Sequence, residues 1–279
     1  MRGSQSHADV KSRSLLTIFL LASSYTIESE SQESRELSAQ EVFQRMFDTY
    51  ANCETYFDEG YQNTTHIEDS GNWSERIDFS TAFVRPDRFR FEYQEKESMF
   101  STTRYIIWRS GDEISRWWDL TPRVEHLESL SLAIGGAAGV SLGTSENIPT
   151  LLTPEEFEWV VLGGYNSLKR VSDRKVSGTR CYVIEAMDDG AKRTVYIGKK
   201  DYLVRRIDEW NTFDDFKTYT ITMYRPTINK EISEAKLSFN PEIREDGLTP
   251  LKLTVLGVAV LALLALFGVL VAFAIKKTI

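Results

Sequence analysis

The sequence predicts an α+β domain that is mostly strand: one large, strongly curved antiparallel sheet or an incomplete barrel, with helices, followed by one C-terminal transmembrane helix. Three observations carry this. A single helical stripe opens the folded part. The hydrophobic period then changes from 3.6 to two for most of the chain. An uncharged run from Leu253 to Ile275 comes last.

The helix comes first. Ser38 followed by Glu41 has the spacing of a capping box, in which hydroxyl and carboxylate satisfy amides at a helix start. Val42, Phe43, Met46, Phe47 and Tyr50 then recur at helical spacing and make one apolar stripe that must lie on something apolar.

Strands follow. Phe89, Phe91 and Tyr93 alternate with Arg88, Arg90 and Glu92, and Ile77, Phe79 and Phe83 give a looser version of the same pattern. Tyr105–Trp108 and Ile114–Trp118 flank Ser110-Gly111-Asp112, which reads as a hairpin turn. Arg180–Ala186, Arg193–Gly198 and Leu203–Trp210 form a second set, separated at Asp188-Asp189-Gly190 and Lys199-Lys200-Asp201. Tyr219, Ile221 and Met223 alternate with threonines until Arg225-Pro226, and Glu234–Phe239 reads as a closing strand. Roughly nine to eleven antiparallel strands in about 210 residues is the content of one large sheet or an incomplete barrel.

Leu127–Gly143 breaks the pattern. It is apolar and contains Gly135, Gly136 and Gly139. Each glycine weakens a helix by about 1 kcal/mol relative to alanine, so a helix here opens or shifts readily. The segment reads either as weak core structure or as a mobile flap over a pocket, with Leu130 and Ile134 as its apolar contacts.

The ends speak of location. About 20 apolar residues at 1.5 Å each span the hydrocarbon of a bilayer, and Leu253–Ile275 meets that length before Lys276-Lys277. Positive charge there favours a cytoplasmic C-terminus. Ser14–Ile27, preceded by Arg2, Lys11 and Arg13, has the form of a secretion signal, with Ala22-Ser23-Ser24 as a cleavage site, or of an uncleaved apolar segment. The predicted organisation is residues 1–27 signal or N-terminal apolar segment, 28–37 linker, 38–245 folded domain, 246–252 linker, 253–275 transmembrane helix and 276–279 cytoplasmic tail.

Composition narrows the chemistry. A net charge of −8 disfavours a nucleic-acid partner, which would want a basic face. The two cysteines, Cys53 and Cys181, both fall in the exported part, where a disulfide is chemically allowed. Sequence leaves open whether they come within bridging distance. His66 and His126 have no partner at metal-ligand or triad spacing. Asp188-Asp189 and Asp214-Asp215 sit in turn contexts that favour solvated loop ends over paired catalytic carboxylates. No phosphate loop or nucleophile elbow appears, so neither a catalytic residue, a metal site nor a cofactor is expected.

The run Val84-Arg85-Pro86-Asp87-Arg88-Phe89-Arg90-Phe91-Glu92-Tyr93 resembles the Arg-Pro-x-x-Phe-x-aromatic strand pair of the bacterial lipoprotein-sorting carriers, the LolA/LolB superfamily. Ile106-Ile107-Trp108-Arg109-Ser110-Gly111-Asp112 stands where that superfamily has an apolar strand and Asp-Gly turn. Lys236-Leu237-Ser238-Phe239-Asn240-Pro241 resembles its closing strand. The resemblance spans about Ser38 to Pro241. It implies an incomplete antiparallel barrel wrapped around an apolar cavity that holds acyl chains, with helices as a lid. It also implies that Arg85 helps to hold the lid closed.

Under this resemblance the strand aromatics Phe79, Phe83, Phe89, Phe91, Tyr93, Trp108 and Trp117 become candidates for the cavity wall. The expected function is a membrane-tethered, periplasmic binder of lipid or of lipoprotein acyl chains at the bacterial inner membrane. The tether denies it the free diffusion of a soluble carrier. An envelope sensor or protein-interaction module is the alternative, with an envelope protein as partner.

Overall fold

The computed structural model describes residues 36–96, 102–157, 162–188, 191–213 and 216–241. The apolar segments 14–27 and 253–275, and Asp189, Asp214 and Asp215, lie outside these residues. Among the described residues no helix is long and apolar enough to cross a membrane.

Helix α1, Ala39–Asn52, starts at the capping box read from sequence. Ser38 Oγ accepts from the Glu41 amide at 3.2 Å, and the Glu41 carboxylate accepts from the Ser38 amide at 2.8 Å. Its buried residues are Ala39, Val42, Phe43, Met46 and Tyr50, the predicted stripe without Phe47, which is partly buried.

Six strands follow: β1 Thr55–Glu68, β2 Gly71–Val84, β3 Arg88–Lys96, β4 Thr102–Ser110, β5 Glu113–Trp118 and β6 Thr121–Leu127. Helices α2 Leu130–Val140, α3 Thr144–Asn147 and α4 Pro149–Leu152 interrupt them. The second run is β7 Ser167–Val176, β8 Thr179–Asp188, β9 Ala191–Gly198, β10 Val204–Thr212, β11 Lys217–Tyr224 and the two-residue β12 Thr227–Ile228, closed by α5 Glu234–Leu237. All belong to one antiparallel sheet, ordered β6-β5-β4-β3-β2-β1-β11-β10-β9-β8-β7, with β12 against β1. The two ends of that order, β6 and β7, do not pair with each other, so the sheet stays open. The hairpin predicted at Ser110-Gly111-Asp112 is present, with Gly111 at φ 63° in the left-handed region.

One face of the sheet, here the inner face, is covered by α1 to α4. Phe83, Phe89, Phe91, Tyr93, Tyr105, Ile107, Ile184, Val195 and Ile207 from six strands share one core with Val42, Met46, Leu130, Ile134 and Leu152 from the helices. A second, smaller cluster of Val176, Cys181, Val183 and Tyr196 lies apart from it. Each aromatic side chain taken fully out of water contributes roughly 2 to 3 kcal/mol.

One sequence expectation is corrected, and two points the sequence leaves open are answered. Glu234–Phe239 is not a strand. It is one helical turn on the outer face, where the Arg90 guanidinium donates to Ala235 O at 3.0 Å and Ser238 O at 2.6 Å; these bonds take up carbonyls that a strand would need for a neighbour. On β11 it is the threonines, not Tyr219, Ile221 and Met223, that face inward, because Thr222 and Thr220 stand opposite the inward Gln62 and Thr64 of β1. Cys53 and Cys181 are separate free thiols, both buried and in different clusters. Cys53 donates to the Tyr50 carbonyl at 3.2 Å. Strands β1, β6, β7 and the short β12 are additional to the predicted set.

Candidate functional site

The site is built on the hairpin β2–β3. Strand pairing puts Phe83 opposite Phe89 and Phe79 opposite Tyr93, so alternate residues of both strands form one inward aromatic wall. Phe79, Phe83, Phe89, Phe91 and Tyr93 are all buried. Phe79 also lies over Gly60, its partner on β1, where a Cβ would overlap the ring.

Helix α2 closes this wall. Ser129 Oγ accepts from the Leu132 amide at 3.2 Å and starts the helix. Leu130, Ala133, Ile134 and Ala137 then fall on one buried side at helical spacing. Gly135 and Gly139 lie on the opposite, open side, with nothing within 4 Å of an added Cβ, whereas a Cβ on Gly136 would touch Arg116 and Tyr105. The segment Leu127–Gly143 therefore contains a formed helix, with Gly135 and Gly139 facing away from the core. The indole Nε1 of Trp118 is buried without a hydrogen-bond partner, on β5, one of the strands α2 contacts. An unmet buried donor costs about 1 to 3 kcal/mol.

Arg85, at the end of β2, ties the helices together. Its Nε donates to Cys53 O at 3.1 Å; its Nη2 donates to Leu152 O at 3.0 Å and to Tyr50 O at 3.4 Å. Cys53 and Tyr50 close α1, and Leu152 ends α4. Carbonyls at a helix end have no intrahelical partner, and a planar guanidinium can serve several at once. It also lies over the Phe83 ring, 5.0 Å from its centroid.

Register divides the predicted site residues into two groups. The five β2 and β3 aromatics, Leu130 and Ile134 are in one inner core. Trp108 and Trp117 are not on that wall. Trp108 pairs with the outward Arg90 and Trp117 with Ile106, so both indoles face outward. There Phe239 packs against both, at 5.4 Å from Trp108 and 5.2 Å from Trp117. A cleft of about 520 Å³ adjoins this outer surface, lined by charged groups including Arg76, Arg104, Arg225 and Lys236. Burial works to raise the Glu92 carboxyl there, but the Arg104 and Arg90 guanidiniums hold it below its ordinary value.

Sequence reasoning passed over a buried polar group beneath α1. Asp58 on β1 is fully buried; it accepts from Tyr56 OH at 2.7 Å and from the Thr81 amide at 2.9 Å. Desolvation lifts its carboxyl from 3.8 to about 7. The same desolvation, with the Asp58 charge nearby, holds Tyr56 and Tyr224 well above the ordinary phenol value. Tyr224 OH accepts from Asn147 of α3 at 3.1 Å, and Tyr50 OH accepts from the Val204 amide at 3.0 Å. An inward Asp58 between Phe57 and Glu59 carries no periodic signal, which is why it went unread.

The histidines are placed singly. His66 Nε2 is 2.7 Å from Glu75 and its ring stacks on Trp73; His126 Nδ1 is 3.1 Å from Ser115 Oγ. Among the described residues no group of three or more His, Cys, Asp or Glu side chains could hold a metal ion.

No protein-family model matches this chain, and no curated protein matches it either. Solved structures do. The chain is similar to an outer-membrane lipoprotein-sorting protein domain from Vibrio parahaemolyticus, with 12% identity and a TM-score of 0.33, covering 71% of this chain and 95% of that one. It is similar to LprF from Mycobacterium bovis, with 7% identity and a TM-score of 0.43 over 73% of this chain and 96% of that one. MucB in complex with MucA(peri) matches with 9% identity and a TM-score of 0.40, over 72% of this chain and 60% of that one. These are likenesses of fold at TM-scores below 0.5, and none carries a function over to this chain.

Proposed function

We propose that residues 38–245 form an extracytoplasmic domain that binds lipid, or the acyl chains of lipoproteins, in place of its own lid helix. The observation that carries this reading is the construction of the inner face. An aromatic wall on an open sheet is covered by a glycine-bearing helix, and the helical cover is fastened to the sheet by side-chain hydrogen bonds such as Arg85 to Leu152 and Gln62 to Leu142 rather than by a disulfide or strand pairing. Leu130 and Ile134 occupy the apolar volume that an acyl chain would take. Lifting α2 would leave that volume apolar and would give the Trp118 indole access to water. Each methylene buried there contributes about 0.8 kcal/mol, so a long chain can compensate for the displaced helix contacts. Arg85 is the closing residue in this reading, and the chemistry is reversible burial without catalysis.

The segment 253–275 supplies the tether, with the domain on the periplasmic side of the inner membrane and Lys276-Lys277 in the cytoplasm. Such a protein extracts, holds or hands over a lipid at its own membrane.

The test is acyl-chain binding to residues 37–245, stripped of lipid and titrated with a fluorescent fatty acid, alongside mass spectrometry of the domain as first purified. Saturable binding with blue-shifted emission is expected. A domain that arrives empty and gives no binding up to the solubility limit of the probe sinks the proposal and leaves an interaction module.

A further inference from the structure

A cleft of about 290 Å³ opens between β1, β10, β11 and the α2–α3 turn. Its wall runs against the pattern of the rest of the inner face. Along β11 the inward positions are Thr218, Thr220 and Thr222, beside inward Gln62 and Thr64 of β1 and Glu209 and Asn211 of β10. A face that only had to pack would turn Ile221 and Met223 inward, since buried hydroxyls and amides cost free energy unless they are bonded.

Some of that need is met within the wall. Thr222 Oγ1 donates to Gln62 Oε1 at 3.0 Å, Thr64 and Thr220 hydroxyls lie 3.2 Å apart, and Gln62 Nε2 donates to Leu142 O of the α2–α3 turn at 3.2 Å. Other groups are left over. Thr218 is only 7% exposed, and among the described residues its hydroxyl makes no hydrogen bond. The carboxylate of Glu146, half-buried at the same cleft, makes none either.

Charge and shape limit what fits. Among the described residues that line the cleft, Arg193 is bonded to Glu209 and His66 to Glu75, which leaves no spare cation for phosphate or carboxylate. Burial raises the Glu146 carboxyl above its ordinary value, against the opposing pull of the Arg193 charge. The stacked rings of Phe213 and Phe216, 4.5 Å apart, add an apolar border. Hydroxyls that both donate and accept, next to an aromatic edge, match the mixed faces of a sugar ring. The volume sits at the small end of ligand pockets and has room for a monosaccharide or disaccharide.

We infer that this cleft is a binding site for a neutral carbohydrate, held by Thr218, Thr220, Asn211 and Glu146. The site shares Ile207 with the apolar core and is otherwise lined by different residues, so it stands whether or not the core admits an acyl chain.

The full-length protein, kept in a polyoxyethylene detergent that carries no sugar, is titrated by calorimetry with glucose, galactose, mannose, N-acetylglucosamine, maltose and lactose. Saturable binding of at least one is expected. It should weaken about tenfold or more, a difference of about 1.4 kcal/mol, in Thr218→Val and in Thr220→Val, with Thr218→Ser close to wild type. Acyl-chain binding, measured in parallel, stays unchanged in these variants, which separates this site from the lid. The inference is overturned by absence of binding to all six sugars at about 10 mM, or by binding that both valine variants retain in full.

Discussion

The Arg85 guanidinium and the Leu152 carbonyl are joined by a 3.0 Å hydrogen bond across 67 residues of sequence. The same guanidinium reaches Cys53 O, so one strand-end side chain holds the last turns of two helices, α1 and α4. A charged donor shared among helix-end carbonyls is worth more than a neutral hydrogen bond, roughly 1.5 to 3 kcal/mol.

Replacing Arg85 should therefore loosen the cover before the sheet. Arg85→Lys keeps the charge and loses the planar fork. We expect a loss of about 1 to 3 kcal/mol in urea unfolding. Amide hydrogen exchange should quicken at residues 144–153 while β2 and β3 stay protected. Unchanged exchange in α3 and α4 would reduce Arg85 to an ordinary strand-end residue.

The glycines of α2 offer the opposite change. Gly135 and Gly139 have open space where a Cβ would stand, so alanine fits at both and strengthens the helix by about 1 kcal/mol per site. Gly135→Ala/Gly139→Ala should melt several degrees higher and associate more slowly with a fluorescent fatty acid in stopped flow. A faster or equal association rate counts against α2 as the moving part.

Asp58 gives the fold a pH dependence with a definite direction. Its carboxyl titrates near 7 in the folded domain and near 3.8 in the unfolded chain, so between those values the native state holds a proton that the unfolded state has released. This contribution is fully present below about pH 4, falls by up to about 1.4 kcal/mol per pH unit, and is gone above about 7. Asp58→Asn removes it. In paired urea titrations at pH 5 and pH 8, wild type should lose more stability across the interval than the variant. Equal losses would assign the dependence to other groups.

Gly60 is fixed by its neighbours. A Cβ there would overlap both the Met223 carbonyl and the Phe79 ring, and backbone on one side leaves no room to yield. Gly60→Ala should cost several kcal/mol, in the range of an overpacked core. A melting point within a degree or two of wild type would show that the strand can shift.

The thiols should be silent. Because Cys53 and Cys181 are unbridged, a reducing agent leaves the melting temperature where it was, and Cys181→Ala acts only through lost packing and the weak thiol bond to the Thr179 carbonyl. A marked drop on reduction would reveal a bridge.

Much of the local architecture was legible. Ser38 and Glu41 announced α1, and the alternation Phe89-Arg90-Phe91-Glu92-Tyr93 announced β3, because both patterns are complete within a few residues. Strand β1 escaped: its inward residues include Asp58, Gly60, Gln62 and Thr64, so a strand central to the sheet reads as polar. Strands β6 and β7 escaped because edge strands carry mixed, half-exposed side chains.

The sequence by itself determined the strand-rich class, the start of α1, the alternating aromatics of β2 and β3, and the weak composition of α2. Only the tertiary structure decided which face of each strand looks inward. A period of two says that a strand has two faces, and pairing register says which one is buried. That is why Trp108 and Trp117 face Phe239 on the outside, why threonines line β11 within, and why Arg85 meets Leu152. Each of these depends on contacts between residues far apart in the chain, which no local pattern encodes.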